Sequence, residues 1–116
     1  MPKHVEATKP RRLDRRNPFE WYTRRYGYFS AFLAGGGTTT RDKMIEGCMK
    51  TRTACGITTD TPAAVKKDVA DHVYEWKKGA AGTGYKLTVK ENKDGSVTCT
   101  HVDGVKWAKY MEGKAR

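Results

Sequence analysis

Aliphatic side chains are scarce in this chain of 116 residues. Leu, Ile and Val number three, two and eight, and with three Phe they make up about 14% of the sequence. That lies below the roughly 20% under which a highly charged chain is suspected of disorder. A self-sufficient enzyme core is not expected from so little aliphatic surface. Long apolar runs are missing as well, none approaching the roughly 18 residues that cross a bilayer, so the sequence predicts no transmembrane segment. Cysteines are few: Cys48, Cys55 and Cys99 are odd in number and dispersed, which argues against the disulfide framework of a small secreted domain and for packed, reduced thiols. The N-terminus has no apolar signal-peptide core. Its Arg content suggests mitochondrial import, but Glu6, Asp14 and Glu20 are too acidic for a transit peptide. These absences point to an intracellular setting: cytoplasm, organelle matrix or virion interior.

Charge and aromatic rings are what the chain has instead. Lys and Arg total 23 against 13 Asp and Glu, a formal charge of +10, and Tyr, Trp and Phe total 6, 3 and 3. Each ring buries a large area and offsets part of the aliphatic shortage. Arginine is concentrated between Arg11 and Arg25. The chain divides on this basis into an extended basic arm (1–16), a small α+β domain (17–112) and a tail (113–116). The arm holds only Val5 and Leu13 as large apolar side chains after Met1, apart from prolines, and cannot bury enough to offset its ordering entropy. It is expected to be ordered only where a partner holds it.

Three helices and a hairpin are predicted within the domain. Asn17 as N-cap, Pro18 at the first position and Glu20 three after the cap start helix one. Phe19, Tyr22, Tyr26, Phe29 and Leu33 line one face of it, and Gly35–Gly37 end it. Trp21, Tyr28 and Phe32 lie off that stripe beside Arg24 and Arg25. They belong either to a helix buried on two sides or to an arginine–aromatic contact surface. Helix two is predicted from Thr40 to Ala54, with Gly56 just past its end. Helix three is capped by Asp60 or Thr61, opened by Pro62, striped by Val65, Val69, Val73 and Trp76, and stopped by Gly79. Tyr85, Leu87 and Val89 then alternate with polar residues, as do Val97, Cys99 and His101. A three-residue loop, Lys93-Asp94-Gly95 with a left-handed Gly95, pairs Val89 with Cys99 and Leu87 with His101. Val105–Glu112 is either a short helix capped by Asp103 or a third strand.

Several motifs invite chemistry and fall short of it. Gly79–Lys86 looks like a phosphate loop, but it follows a helix, precedes a predicted strand and lacks the contiguous Gly-Lys-Ser/Thr. Cys48, Cys55, Cys99 and His101 are weak zinc candidates, with His72 in reserve, because their spacing is not that of structural zinc sites. Asp68, Asp71 and Glu75 read as a solvated face among lysines. Nothing marks a cysteine as an activated partner of His72. No catalytic residue, cofactor or metal is expected.

The strongest signal is basic. Arginine contacts phosphate in bidentate fashion and stacks on bases, and aromatic faces stack on exposed bases. Arg11, Arg12, Arg15, Arg16, Arg24, Arg25, Trp21 and Tyr28, with Lys66 and Lys67 on helix three, are the expected binding residues. The first expectation is a non-catalytic subunit of a large assembly, contacting its other subunits while its arm lies on RNA of a ribonucleoprotein or on packaged genome. The second is a DNA-binding domain, since three helices and then a hairpin is the element order of winged-helix proteins, with helix three as reader and Asn92–Gly95 as wing tip. The third is an accessory subunit of a protein or membrane-associated complex without nucleic acid.

Overall fold

A computed structural model describes residues 8–10, 13–79 and 87–114. Over these the chain is α+β, with four helices and a four-stranded antiparallel sheet. The order is α1 (Arg24–Ala34), β1 (Thr38–Thr40), α2 (Arg41–Ala54), α3 (Pro62–Lys77), β2 (Leu87–Glu91), β3 (Ser96–Val102), β4 (Val105–Lys106) and α4 (Trp107–Lys114).

Polar caps fix the helix starts. Thr40 accepts from the Lys43 amide and Thr61 from the Ala64 amide, with Pro62 opening α3. Helix one departs from its expected start. The Thr23 side chain accepts from the Tyr26 amide and begins α1 six residues after Asn17. Asn17 is spent otherwise: its Oδ1 accepts from the Phe19 amide, and its Nδ2 donates to the Tyr26 carbonyl and Ser30 Oγ. Residues 13–23 form a non-helical strap across α1. Burial of Phe19, whose ring stacks parallel to Trp76 at 6.0 Å, outweighs the helical turn that Asn17 and Pro18 signal. Tyr22, expected on the apolar stripe, leaves it and is 44% exposed.

The sheet has β3 at its centre. β2 pairs along one side, while β1 and then β4 share the other. Val89 faces Cys99 and Gly95 is left-handed at φ 89°, as the hairpin spacing predicts. Leu87 does not face His101. A bulge between Thr88 and Val89 advances the register, so Leu87 pairs with Val102, and His101 leaves the core face that Cys99 occupies. Tyr85 lies outside the described residues. The C-terminal segment is both strand and helix: Asp103 (φ 52°) and Gly104 (φ 81°) turn β3 into β4, so Asp103 closes a hairpin and does not cap α4. β1, three threonines long, has no alternation to announce it.

The core lies between the helices and one sheet face. Tyr28, Phe29, Phe32, Met44, Val69, Val73 and Trp76 meet Leu87, Val97 and Val102, all fully buried. Aromatic area does the work that aliphatics do in most domains of this size. Tyr28 and Phe32 are interior, so α1 is buried on two sides.

Candidate nucleic-acid interface

The four arginines of the arm and helix one that lie within the described residues divide sharply. Arg16 grips Asp14 through Nε at 2.9 Å and Nη2 at 2.7 Å, which holds the Asp14 carboxyl below its usual range. Arg24 reaches Asp60 at 3.0 Å and Asp68 at 3.8 Å. Arg25 lies over the Phe19 ring, 5.1 Å from its centroid. Of the four, only Arg15 is exposed. Arg11 and Arg12 lie outside the described residues. Arginine here mostly fastens the chain to itself, and the expectation that a partner holds the arm gives way, for residues 13–16, to its own α1. There the Asp14 amide donates to the Tyr26 hydroxyl, and Leu13 packs on the core.

A second pair of arginine contacts reinforces this. Arg52 donates to Asp60 through Nε at 2.6 Å and Nη2 at 3.1 Å, and to the Tyr22 carbonyl at 2.6 Å. Asp60, whose side chain is 3% exposed, thus takes two guanidinium groups, and the Arg52 hydrogen bonds hold its carboxyl low. Trp21 is half-buried with its ring edge-on to Tyr22, and Tyr28 is fully buried. Neither matches the open stacking surface expected, because the core needs these rings.

Lysine takes over on α3. Successive residues turn by about 100°, and Val65, Val69, Val73 and Trp76 face inward. Lys66 and Lys77 then fall on one outward flank, Lys67, Lys78 and the 57% exposed Tyr74 fall on the outermost ridge, and Ala63 and Ala70 lie between the two lysine pairs. Asp71 borders that ridge one turn after Lys67, and Glu75 lies beyond it, on the side away from Lys66 and Lys77. The flank of Lys66 and Lys77 faces the hairpin, since Lys77 Nζ donates to Glu91 at 2.9 Å. Arg41, first residue of α2, meets the same carboxylate at 2.8 Å, so Glu91 ties two helices to the end of β2. These two cations hold the Glu91 carboxyl below its ordinary value, Lys77 contributing more.

The hairpin tip follows directly. Lys90 and Lys93 are exposed, and the Asp94 carboxylate is turned back onto the Ser96 amide at 2.9 Å and its hydroxyl at 2.6 Å. Lys66, Lys67, Lys90 and Lys93 have no ion-pair partner among the described residues. α3 and the tip therefore present four of the cations that the fold leaves without an ion-pair partner among the described residues. Of this surface, the sequence points to Lys66 and Lys67. It does not point to Arg41, Lys77, Lys78 or Lys93, which only the meeting of three elements at Glu91 assembles.

The thiols do different work. Cys48, Cys55 and Cys99 are free and buried, the first two within and at the end of α2 and the third on β3. Burial pushes the Cys48 thiol up to about 11 and the Cys99 thiol up to about 12. His101 Nδ1 sits by Thr100 Oγ1, while the Cys99 thiol faces the His101 carbonyl rather than its ring. No group of three or more His, Cys, Asp or Glu able to hold a metal ion occurs among the described residues. No helix among them is long and apolar enough to cross a membrane. The chain matches no family model, no curated protein and no solved structure.

Proposed function

We propose that this chain is a small non-catalytic nucleic-acid-binding protein that sets α3 and the hairpin tip against duplex DNA, in the manner of a winged-helix domain. The observation that carries the reading is that α3 and the hairpin tip together present four exposed lysines, Lys66, Lys67, Lys90 and Lys93, with no ion-pair partner among the described residues. A helix fits the major groove of B-form DNA, about 12 Å wide, whereas the A-form RNA groove is too deep and narrow to be read by side chains. Ala63 and Ala70 keep the surface between the α3 lysines low, which suits close approach to a groove floor. Pairing of β1 with β3 supports the same reading, because it ties the α1–α2 corner to the hairpin and makes the tip a rigid second contact. The arm supplies Lys9 and Arg15 as exposed cations without an ion-pair partner among its described residues, which weakens the reading in which the arm alone lies on RNA or a packaged genome.

Fluorescence anisotropy of the full chain against duplex DNA, duplex RNA and single strands tests this. Duplex DNA is expected to bind tightest. Affinity should fall steeply with salt, and Lys66→Ala with Lys67→Ala should lower the salt slope by about one unit for each lysine–phosphate pairing removed. If Arg11→Ala, Arg12→Ala and Arg15→Ala together abolish binding while the α3 pair leaves it intact, the arm is the anchor and this proposal is wrong. Absence of binding at low salt eliminates both.

A further inference from the structure

A trough of about 530 Å³ runs between the strap, α1 and α2, well away in sequence from α3 and the hairpin tip. It exists because the facing side chains are small: Ala31, Ala34 and Gly35 on the α1 side, Gly47, Thr51 and Ala54 on the α2 side. The helices cannot close it, since the Gly27 and Gly47 backbones already touch; a Cβ on Gly47 would lie 2.6 Å from the Gly27 carbonyl oxygen. Trp21 of the strap and Tyr26 of α1 add ring surface. The volume lies within the range of small-molecule sites, roughly 300–1,000 Å³.

Its chemistry is specific. Two hydroxyl donors on its walls are already used, Ser30 donating to the Tyr26 carbonyl at 2.9 Å and Thr51 to the Cys48 carbonyl at 3.3 Å, while the Tyr26 hydroxyl accepts from the Asp14 amide. The Asp14 carboxylate is committed to Arg16. A polyhydroxylated ligand would find few partners. Three charges remain, Lys43, Glu46 and Lys50, none with an ion-pair partner among the described residues. The two lysines are two turns apart on one side of α2, about 10 Å along its axis, with Glu46 between them. Their sum is one positive charge at the edge of an apolar trough.

We propose that this trough is a binding site for a small amphipathic carboxylate, whose apolar body lies against Ala31, Ala34 and Trp21 while its single negative charge meets Lys43 or Lys50. The site is independent of the nucleic-acid reading and stands or falls without it.

Decanoate, kept below its micelle concentration, is the probe, with decanol as the neutral control. Two-dimensional ¹⁵N spectra of the full chain resolve its three indoles, Trp21, Trp76 and Trp107. The Trp21 indole should shift saturably with decanoate, and the buried Trp76 indole should stay still. Lys43→Ala with Lys50→Ala should weaken binding about tenfold, the equivalent of about 1.4 kcal/mol. Ala34→Trp should abolish it by filling the trough from an exposed position. The lysine pair is exposed and keeps the test valid if Ala34→Trp disturbs folding. No saturable shift at Trp21, binding unchanged in the lysine pair, or decanol binding as well as decanoate each overturns the proposal. So does a silent full chain whose truncation lacking residues 1–7 binds, since the trough would then serve the chain's own N-terminus.

Discussion

The Tyr28 hydroxyl donates to the Asp68 carboxylate at 2.6 Å, across 40 residues of sequence. This contact turns Asp68 off the outward surface of α3, where sequence places it among Lys66 and Lys67. Arg24 at 3.8 Å and His72 Nδ1 at 3.2 Å complete its surroundings. Burial, and then the neighbouring Asp68, push the Tyr28 phenol far up, so it remains a donor throughout the working range. Tyr28→Phe removes a hydrogen bond to a charged acceptor, at a cost of about 2 kcal/mol. The Tm in a thermal scan should fall by roughly 10 °C. Nucleic-acid affinity of the folded protein should not change, because Tyr28 is interior. A matching drop in affinity at temperatures where the variant is fully folded would put Tyr28 back on the contact surface.

With Asp68 withdrawn, the only carboxylates left facing outward from α3 are Asp71 and Glu75. They lie on the flank away from the hairpin and set which side of the helix a phosphate backbone can approach. Asp71→Asn with Glu75→Gln should therefore strengthen duplex binding by about threefold to tenfold at low salt, and less at high salt, because exposed charges are screened. Lys67→Glu should do the opposite. Equal effects from Lys67→Glu and from a lysine elsewhere, such as Lys109→Glu, measured by the same anisotropy titration, would mean that only total charge matters.

How far the sequence can be read depends on how local each signal is. Thr40, Thr61, Pro62, Gly56 and the Lys93–Gly95 loop act within a few residues, and α2, α3 and the hairpin tip follow from them. Helix one starts later than its first cap signal because Asn17 and Thr23 are both competent caps, and the choice between them is made by Phe19 stacking on Trp76, 57 residues away. The bulge at Thr88 is equally invisible, since Leu87 gains its place by pairing with Val102 in preference to His101. The arginines mislead for the same reason. Arg24 meets Asp60 across 36 residues, and composition cannot tell a guanidinium saved for a partner from one already used. Lysine, with no planar fork to satisfy, stays on the surface.

Asp60 supplies the pH dependence. Its carboxyl is held below the usual value by Arg52 and then Arg24, and the same direction holds for Asp14 and Glu91. A carboxyl whose folded pKa is depressed contributes stability that is complete above its unfolded value and is lost as pH falls through the folded one. The unfolded value is about 3.9 for Asp and 4.3 for Glu. Chemical-denaturation midpoints should thus be flat from pH 7 to about 5 and decline below about 4. Asp60→Asn leaves two partly exposed guanidinium groups facing a neutral amide, at a cost of about 2 kcal/mol near neutrality, and its acid decline should be shallower. A variant whose decline is as steep as the parent's would place the acid sensitivity elsewhere.

The crossing of α1 and α2 sets a sharper limit. Gly27 sits where a Cβ would run into the Cys48 Cα, with the Cys48 amide nitrogen at 2.7 Å and Thr51 Oγ1 at 2.8 Å. The first two are backbone and cannot swing aside. Gly27→Ala must therefore push the helices apart, and with them the Met44 and Cys48 packing that seals the core beneath. Overpacking of this kind costs about 3 kcal/mol or more, a large share of the roughly 5–15 kcal/mol available to a domain. Gly113→Ala is the control: it lies in α4 with nothing within 4 Å of its Cβ position, and should be neutral or stabilising by up to about 1 kcal/mol. Equilibrium denaturation of both variants separates a general intolerance of alanine from a backbone contact. Equal, small effects would show that the helices part readily and that the crossing does not hold the trough open.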